Sequence, residues 1–157
     1  MNERPRFEEI SLPALLRHAR NAYGAAMREA LDAEGYGDIP KSGLYVIGGL
    51  ARDAADVPLA RLIGDLRIPK QSTGQLVDAL VTRGYLKRSV DPDDRRRLIV
   101  ALSKRGRAAA ATLSAARESV DSELQEQIGE RGMNALRKGL GALVAIGRRR
   151  EAEGESR

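Results

Sequence analysis

The chain has 157 residues, a length that suits one domain with extra helices and gives a core that needs no stabilising disulfide or metal. It has no cysteine and a single histidine, which excludes disulfides, thiolate nucleophiles, peroxide-sensing thiols and most zinc sites. Aromatic residues make up 3% of a sequence rich in Ala, Leu, Arg and Glu, and no run approaches the ~18 apolar residues of a membrane span, so we expect a mainly helical, cytoplasmic protein.

The positive charge is concentrated in the middle of the chain. The net charge is +5, but residues Arg61 to Arg107 hold 12 Lys or Arg against 5 Asp, whereas the remainder holds 15 basic and 17 acidic residues. A GC-rich genome would explain why Arg outnumbers Lys, but it would not explain this clustering. A localised basic block favours an anionic polymer as partner, and nucleic acid is the leading candidate.

Two helices are predicted before the basic block. The first runs from about Leu12 to Ala33, because apolar residues recur there at three-to-four spacing behind Ser11, an N-cap candidate, and Gly35 ends it. The second begins at Pro40 and continues through Leu50. Both would present an apolar face to a shared core.

A pair of short helices follows, within the basic block. Pro58 suits the first turn of a helix over residues 59–66, and a break at residues 67–69 separates it from a helix that runs from Lys70 to about Arg83. The apolar residues predicted to point inward from this last helix are Leu76, Val77, Leu80 and Val81. Two short helices joined by about three residues match a helix-turn-helix, whose second member reads DNA.

Beyond Gly84 the hydrophobic pattern changes from a period of 3.6 to a period of 2. Tyr85–Val90 and Arg97–Leu102 are therefore predicted to be strands, and the turn Asp91-Pro92-Asp93-Asp94 between them favours a β-hairpin. These aspartates lack the glycine and the distal glutamate of a calcium-binding loop, so the turn is the better interpretation.

The last third of the chain is predicted to be helical and apolar along one side. Ser103 can cap a helix that continues to Gln127, and Gly129 and Gly132 are predicted to break it. The helix beyond them carries the apolar residues Met133, Leu136, Leu140, Leu143 and Val144. Since this stripe lies far from the central module, we expect a second copy of the chain to cover it; the alternative is that these helices fold back onto the first helix of the same chain.

A helix-turn-helix followed by a charged hairpin is a winged helix, and the residues around it are characteristic. The segment from Ile68 to Gly106 resembles the multiple-antibiotic-resistance regulator (MarR) family of bacterial transcription factors. The points of resemblance are Lys70-Gln71-Ser72, Leu76-Val77 with Leu80, Arg83-Gly84-Tyr85-Leu86, Asp91-Pro92 with Asp94-Arg95-Arg96, and Leu102-Ser103 with Gly106. The order of the helices extends the resemblance over residues 12–144.

The predicted fold is mainly α with a small β-hairpin: a winged helix-turn-helix with N- and C-terminal dimerisation helices. Residues 1–37 form the N-terminal helix of the dimerisation region, and residues 38–102 form the DNA-binding domain, with the helix-turn-helix at 59–83 and the wing at 85–102. Residues 103–147 form the C-terminal dimerisation helices. Residues 148–157 are a charged tail that we expect to be disordered.

Candidate DNA contacts cluster at the start of the predicted recognition helix. An α-helix fits the major groove, and its N-terminus places amide donors near phosphates. Gln71 and Gln75 can pair with an adenine edge, and Thr73 can contact a thymine methyl group. Lys70 and Ser72 are interpreted as phosphate anchors, which position the helix without reading sequence. The alternative for each residue is a solvated helix face.

The wing supplies a second set of candidates. By resemblance, Arg96 is the wing arginine that enters the minor groove, where narrow A·T-rich stretches concentrate negative potential. Asp94 is placed to hold that guanidinium through a charge-assisted hydrogen bond. Arg95, Arg97 and Arg88 complete the predicted DNA-binding residues, with a solvated basic turn as the alternative.

The resemblance implies a homodimeric transcriptional regulator, usually a repressor, that binds a pseudo-palindromic duplex operator and responds to a ligand or other signal. In relatives this effector is often a small aromatic or phenolic acid, but no motif marks its pocket here. No cofactor, metal, membrane or catalytic activity is expected. Two other functions stay open: an architectural DNA-binding protein without ligand response, and a small-molecule enzyme, which the lack of Cys and the single His make a poor candidate.

Overall fold

Helices dominate the part of the chain that the computed structural model describes, which comprises residues 7–53, 57–58, 61 and 70–155. After a short 3-10 turn, the described elements are α1 (Leu12–Ala33), α2 (Gly43–Asp53), β1 (Val57–Pro58), α3 (Lys70–Thr82), β2 (Leu86–Val90), β3 (Leu98–Leu102) and α4 (Lys104–Glu155). The chain forms two compact units, Met1–Arg117 and Glu118–Arg157.

The first two helices occupy the predicted positions, with one change at the start of α2. Helix α1 has the predicted bounds, and Gly35 follows it with a φ of 81°. Helix α2 begins at Gly43 rather than at Pro40, because the Gly43 N–H donates to the Pro40 carbonyl at 2.8 Å and so closes a turn instead of a helical step. Arg20 connects the two helices: its Nε donates to the Tyr45 hydroxyl at 2.7 Å.

The sheet has three strands instead of the predicted two. Strand β1 pairs antiparallel with β3, with Val57 opposite Val100 and Pro58 opposite Ile99, and the strand order is β1-β3-β2. Pro58 thus lies in a strand and not in the first turn of a helix. Because β1 is at the edge of the sheet, the missing N–H of a proline is tolerated there. The helix predicted over residues 59–66 lies outside the described residues, apart from Arg61, which is helical.

The turn between α3 and β2 fixes where the helix ends and the wing begins. Gly84 has a φ of 79°, a left-handed conformation that favours glycine, and the Tyr85 N–H donates to the Leu80 carbonyl at 2.9 Å. Tyr85 therefore completes the helix terminus, and β2 begins one residue later than predicted, at Leu86. Strand β3 also begins one residue late, because the Arg97 N–H donates to the Asp94 carbonyl at 2.8 Å within the hairpin turn.

The core of the first unit brings together every described helix and the wing. Three of the four residues predicted to point inward from α3 are buried, and the fourth, Val81, is partly buried and packs against them. The buried apolar residues are Leu31, Ile39, Leu44, Val46, Ile47, Leu50, Leu76, Val77, Leu80, Tyr85, Leu86, Val100, Ala109, Ala110 and Leu113. Helix α3 thus packs in one core with α2, the wing and the start of α4.

The start of α4 is fastened to the wing. Ser103 is its N-cap, as predicted: the Gly106 N–H donates to the Ser103 Oγ at 3.0 Å, and the Ser103 N–H donates to the Tyr85 carbonyl at 2.9 Å. The Ser103 hydroxyl also donates to the Gly84 carbonyl. Glycine is required at position 106, because a Cβ there would lie 2.0 Å from the Tyr85 carbonyl oxygen.

Gly129 interrupts α4, as predicted, with a φ of 69° and a ψ of 173°. Gly132 does not interrupt it, since it lies within the helical segment beyond the break. The helix continues to Glu155, through most of the segment that the sequence predicts to be disordered; Arg, Glu and Ala extend an existing helix at little cost. Among the described residues, no helix combines the length and the apolar character needed to cross a membrane.

Candidate nucleic-acid interface

The exposed face at the start of α3 carries polar side chains that can donate and accept hydrogen bonds. Gln71, Ser72 and Gln75 are exposed, and Lys70 is the first residue of the helix. Gln71 and Gln75 are four residues apart, which places them on one face about 6 Å apart along the axis. Two amides at this spacing can address neighbouring bases in a major groove.

Thr73 does not belong to this face. Its side chain is 0% exposed, so it cannot reach a thymine methyl group, and its predicted DNA contact is wrong. The physical reason is helical periodicity: Thr73 lies four residues before Val77 and seven before Leu80, both of which are buried. Thr73 is a core residue of α3.

Aspartate side chains shape the wing turn. Asp91 accepts from the Asp93 N–H at 2.9 Å, and Asp94 accepts from the Arg96 N–H at 3.0 Å, so two successive Asx turns build the tip. The Asp91 N–H also closes the hairpin by donating to the Arg97 carbonyl at 3.0 Å. The carboxylates of Asp91 and Asp94 therefore accept hydrogen bonds from the backbone of the turn and stabilise its conformation. Within the described ranges, no group of His, Asp or Glu could hold a metal ion.

The predicted contact between Asp94 and the Arg96 guanidinium is wrong. One oxygen of Asp94 accepts from the Arg96 backbone, and the other lies 3.7 Å from the Arg97 Nε. The tight turn brings the backbone N–H of the second residue onward within reach, so Asp94 orients the Arg96 backbone and pairs with Arg97. Arg95 and Arg96 are exposed at the tip.

Arg88 lies on β2 and pairs with the carboxylate of Asp78 on α3. Arg88 is among the residues that the sequence predicts to contact DNA, but its partner Asp78 was not predicted. The sequence does contain a signal for Asp78: it follows Gln71 by seven residues and Gln75 by three, so helical periodicity places it on the same face of α3. The ion pair connects α3 to the wing.

A second cluster that sequence reasoning missed consists of Asp38, Tyr85 and Arg105. The Tyr85 hydroxyl donates to Asp38, Arg105 Nη2 lies 3.0 Å from that hydroxyl and 3.3 Å from Asp38 Oδ1, and the Arg105 guanidinium lies 4.5 Å from the Tyr85 ring centroid. Arg105 also donates to the carbonyl of Arg83, just beyond α3. The cluster joins the α1–α2 loop, the end of α3 and the start of α4.

The titration of this cluster reflects its contacts. Burial, followed by its bond to the Asp38 carboxylate, raises the pKa of Tyr85 from 10.0 to about 12. The hydrogen bond from Tyr85, followed by the positive charge of Arg105, lowers the pKa of Asp38 below 3.8. Tyr85 is thus a neutral donor and Asp38 an ionised acceptor near neutral pH.

No protein-family model matches the sequence, nor does any curated protein. Solved structures do match. A probable transcriptional regulator from Pseudomonas aeruginosa is 25% identical with a TM-score of 0.67, over 88% of this chain and 99% of that one. The reduced form of MarR from E. coli is 21% identical with a TM-score of 0.68, over 85% of this chain and 96% of that one.

The chain has the fold of the MarR family. A further MarR structure is 19% identical with a TM-score of 0.74, over 92% of this chain and 96% of that one. The predicted winged-helix architecture is thereby confirmed, with α3 as the second helix of the helix-turn-helix and the β2–β3 hairpin as the wing.

Proposed function

We propose that the protein is a homodimeric transcriptional repressor that binds a pseudo-palindromic duplex operator and releases it on binding a small effector. The observation that carries this proposal is the pairing of two surfaces on a MarR fold: the exposed glutamines at the start of α3 and the exposed arginines at the wing tip. Similar structures include a mutant MarR from E. coli complexed with operator DNA.

In this proposal, α3 reads the major groove. Gln71 and Gln75 bond to base edges, and Ser72 bonds to a phosphate near the helix N-terminus, where the helix dipole also favours an anion. Lys70, the first residue of α3, adds a second phosphate contact. Burial of Thr73 supports this arrangement, because it fixes which face of the helix is turned outward.

The wing reads groove shape. Arg96 and Arg95 lie at an exposed tip whose backbone is held by Asp91 and Asp94, so the backbone that carries these arginines is already ordered before DNA binds. A guanidinium inserted in a narrow minor groove gains from the concentrated negative potential there. Arg97 shares its charge with Asp94 and contributes less.

Exposed apolar side chains on α4 support the homodimer. The residues of this helix that are 38% to 55% exposed in the single chain are Ile128, Leu136, Leu140, Leu143, Val144 and Ile146. Leu136, Leu140, Leu143 and Val144 recur at three-to-four spacing and so share one face of the helix. An exposed apolar face of this kind is typical of an interaction surface, and a two-fold dimer is the commonest closed assembly. Two modules related by this axis would meet half-sites about 34 Å apart.

An effector completes the proposal. NadR, which is 20% identical with a TM-score of 0.68, was crystallised in complex with 4-hydroxyphenylacetate. We propose a small aromatic or phenolic acid as effector for this chain. A thermal-shift screen of such acids, followed by loss of DNA binding with each hit, separates a sensor from an architectural protein: an architectural protein keeps its DNA at every ligand concentration.

The deciding experiment is to sequence genomic fragments retained by the purified protein. A repressor of this kind enriches an inverted repeat with half-sites one helical turn apart. Sedimentation of the complex should show one dimer per repeat. Enrichment of no motif, together with binding to any duplex, would favour the architectural protein.

A further inference from the structure

The outward face of the recognition helix carries a negative charge. Asp78 lies on the face of Gln71 and Gln75, and its side chain is 62% exposed. A carboxylate on a surface that approaches phosphates is unfavourable, since like charges repel most strongly where water is displaced. The sequence places this residue in the middle of the basic block, where every other charge of α3 and β2 is positive.

The Asp78 carboxylate also forms an ion pair with Arg88, a positively charged residue of the wing. Asp78 binds Nη2 of Arg88, whose side chain is 33% exposed. Arg88 lies two residues after the buried Leu86 on β2, and alternate strand residues share a face, so the guanidinium extends from β2 toward α3. The pair therefore lies beside the predicted DNA surface, and its arginine is neutralised while the pair lasts.

We propose that Asp78 competes with DNA phosphate for Arg88 and thereby limits how tightly the protein holds any duplex, whatever its sequence. This inference rests on the proposed DNA-binding function. Exposed ion pairs contribute little to stability, so Arg88 can exchange Asp78 for phosphate at small cost, and the charge-assisted Arg–phosphate bond is of the same kind. Asp78 then lowers the affinity for operator and random duplex alike, because it weakens phosphate binding without changing the glutamines that read bases.

The competing explanation is direct repulsion between Asp78 and the backbone, with no part for Arg88. The two mechanisms differ in whether the effect of Asp78 depends on the arginine. Direct repulsion predicts that removing the Asp78 carboxylate raises the affinity for DNA by the same factor whether or not Arg88 is present. Competition predicts that this increase in affinity disappears when Arg88 is replaced by alanine.

The test uses four full-length proteins: wild type, Asp78→Asn, Arg88→Ala and the double variant. Asparagine keeps the shape of the aspartate and removes its charge. Glu123→Gln, at an exposed position of α4, is the control for net charge alone. Affinity for a random duplex and for the selected operator is measured by fluorescence anisotropy from 50 to 300 mM salt, after each variant has shown a wild-type melting temperature.

We expect Asp78→Asn to bind random duplex about three to ten times more tightly at 50 mM salt, with a log-log salt slope steeper by about 0.9 for each Arg88 that gains a phosphate. Affinity for the operator should rise by a similar factor, so the ratio of operator to random affinity should stay nearly constant, because a phosphate contact does not read sequence. In the Arg88→Ala background, the same change should alter affinity less than twofold, as should Glu123→Gln in the wild type.

If Asp78→Asn raises the DNA affinity equally in the wild type and in Arg88→Ala, or raises it in neither, the proposed competition for Arg88 is wrong. Failure of the wild type to bind any duplex at 50 mM salt overturns instead the proposed function on which the inference rests. The two failures are thus distinguishable in one experiment.

Discussion

The close approach of Gly106 to the wing gives a sharp test of the packing. In Gly106→Ala the new Cβ would lie 2.0 Å from the Tyr85 carbonyl oxygen and 3.0 Å from the carbonyl carbon. Relief requires α4 to move away by about 1 Å, which breaks the 2.9 Å bond from the Ser103 N–H to the same carbonyl. Neither partner is a flexible side-chain end, so the strain cannot be relieved by a rotamer change.

The magnitude follows from three contributions. Overpacking costs about 1–3 kcal/mol, and loss of a hydrogen bond costs about 0.5–1.5 kcal/mol. The higher helix propensity of alanine offsets about 1 kcal/mol of this loss in the free energy of unfolding. The net loss in the free energy of unfolding is about 2 kcal/mol, which lowers the melting temperature by about 4–8 °C for a chain of this size.

The assay is thermal unfolding followed by circular dichroism at a fixed protein concentration, because the melting temperature of a dimer depends on concentration. Gly74→Ala is the matched control: it lies in α3, and the structure shows no atom within 4 Å of its added Cβ, so stability should stay constant or rise by about 0.5–1 kcal/mol. A Gly106→Ala protein that melts with the wild type would refute the reasoning.

Three further predictions concern the buried tyrosine, the DNA surface and the dimer. Because burial, followed by the bond to Asp38, raises the folded-state pKa of Tyr85 from 10.0 to about 12, its contribution to stability is complete below pH 10 and is lost as the pH rises toward 12. Tyr85→Phe should flatten this alkaline loss in pH-dependent urea titrations, and an unchanged pH dependence would contradict the raised pKa of Tyr85. Gln71→Ala should cost about 1–3 kcal/mol on the operator and almost nothing on random DNA, whereas Arg96→Ala should weaken both; equal loss on both sequences for Gln71→Ala would remove its base-reading role. If the protein is the dimer we propose, deletion of residues 132–157 should leave it monomeric or aggregated in sedimentation runs, and a soluble truncated dimer would contradict the proposed interface.

Much of the local structure was predictable because it depends on short-range rules. The period of 3.6 gave the bounds of α1, and the switch to a period of 2 after Gly84 located the wing. Serine before a helix predicted the cap at Ser103. The error at Thr73 came from giving more weight to its position near the helix start than to its spacing from Leu80, although the same periodicity assigns it to the core.

Long-range contacts could not be predicted in this way. The pairing of Val57 with Val100 joins residues more than 40 positions apart, and no local pattern in a two-residue strand signals it. Asp38 reaches Tyr85 and Arg105 only through the tertiary fold. The partner of Asp94 depended on turn geometry, which placed the Arg96 backbone closer to the carboxylate than the Arg96 side chain.

We propose above all that the exposed start of α3 and the wing bind duplex DNA through phosphates and base edges. The most direct measurement is the affinity of the purified protein for its selected inverted repeat across a salt series, beside a scrambled duplex of equal length. With on the order of 8 phosphate contacts for a dimer, the log-log slope should be near −7, and the repeat should bind at least about 10³-fold more tightly than the scrambled duplex. An affinity that does not change with salt, or equal affinity for the two duplexes, would contradict the proposed DNA binding by α3 and the wing.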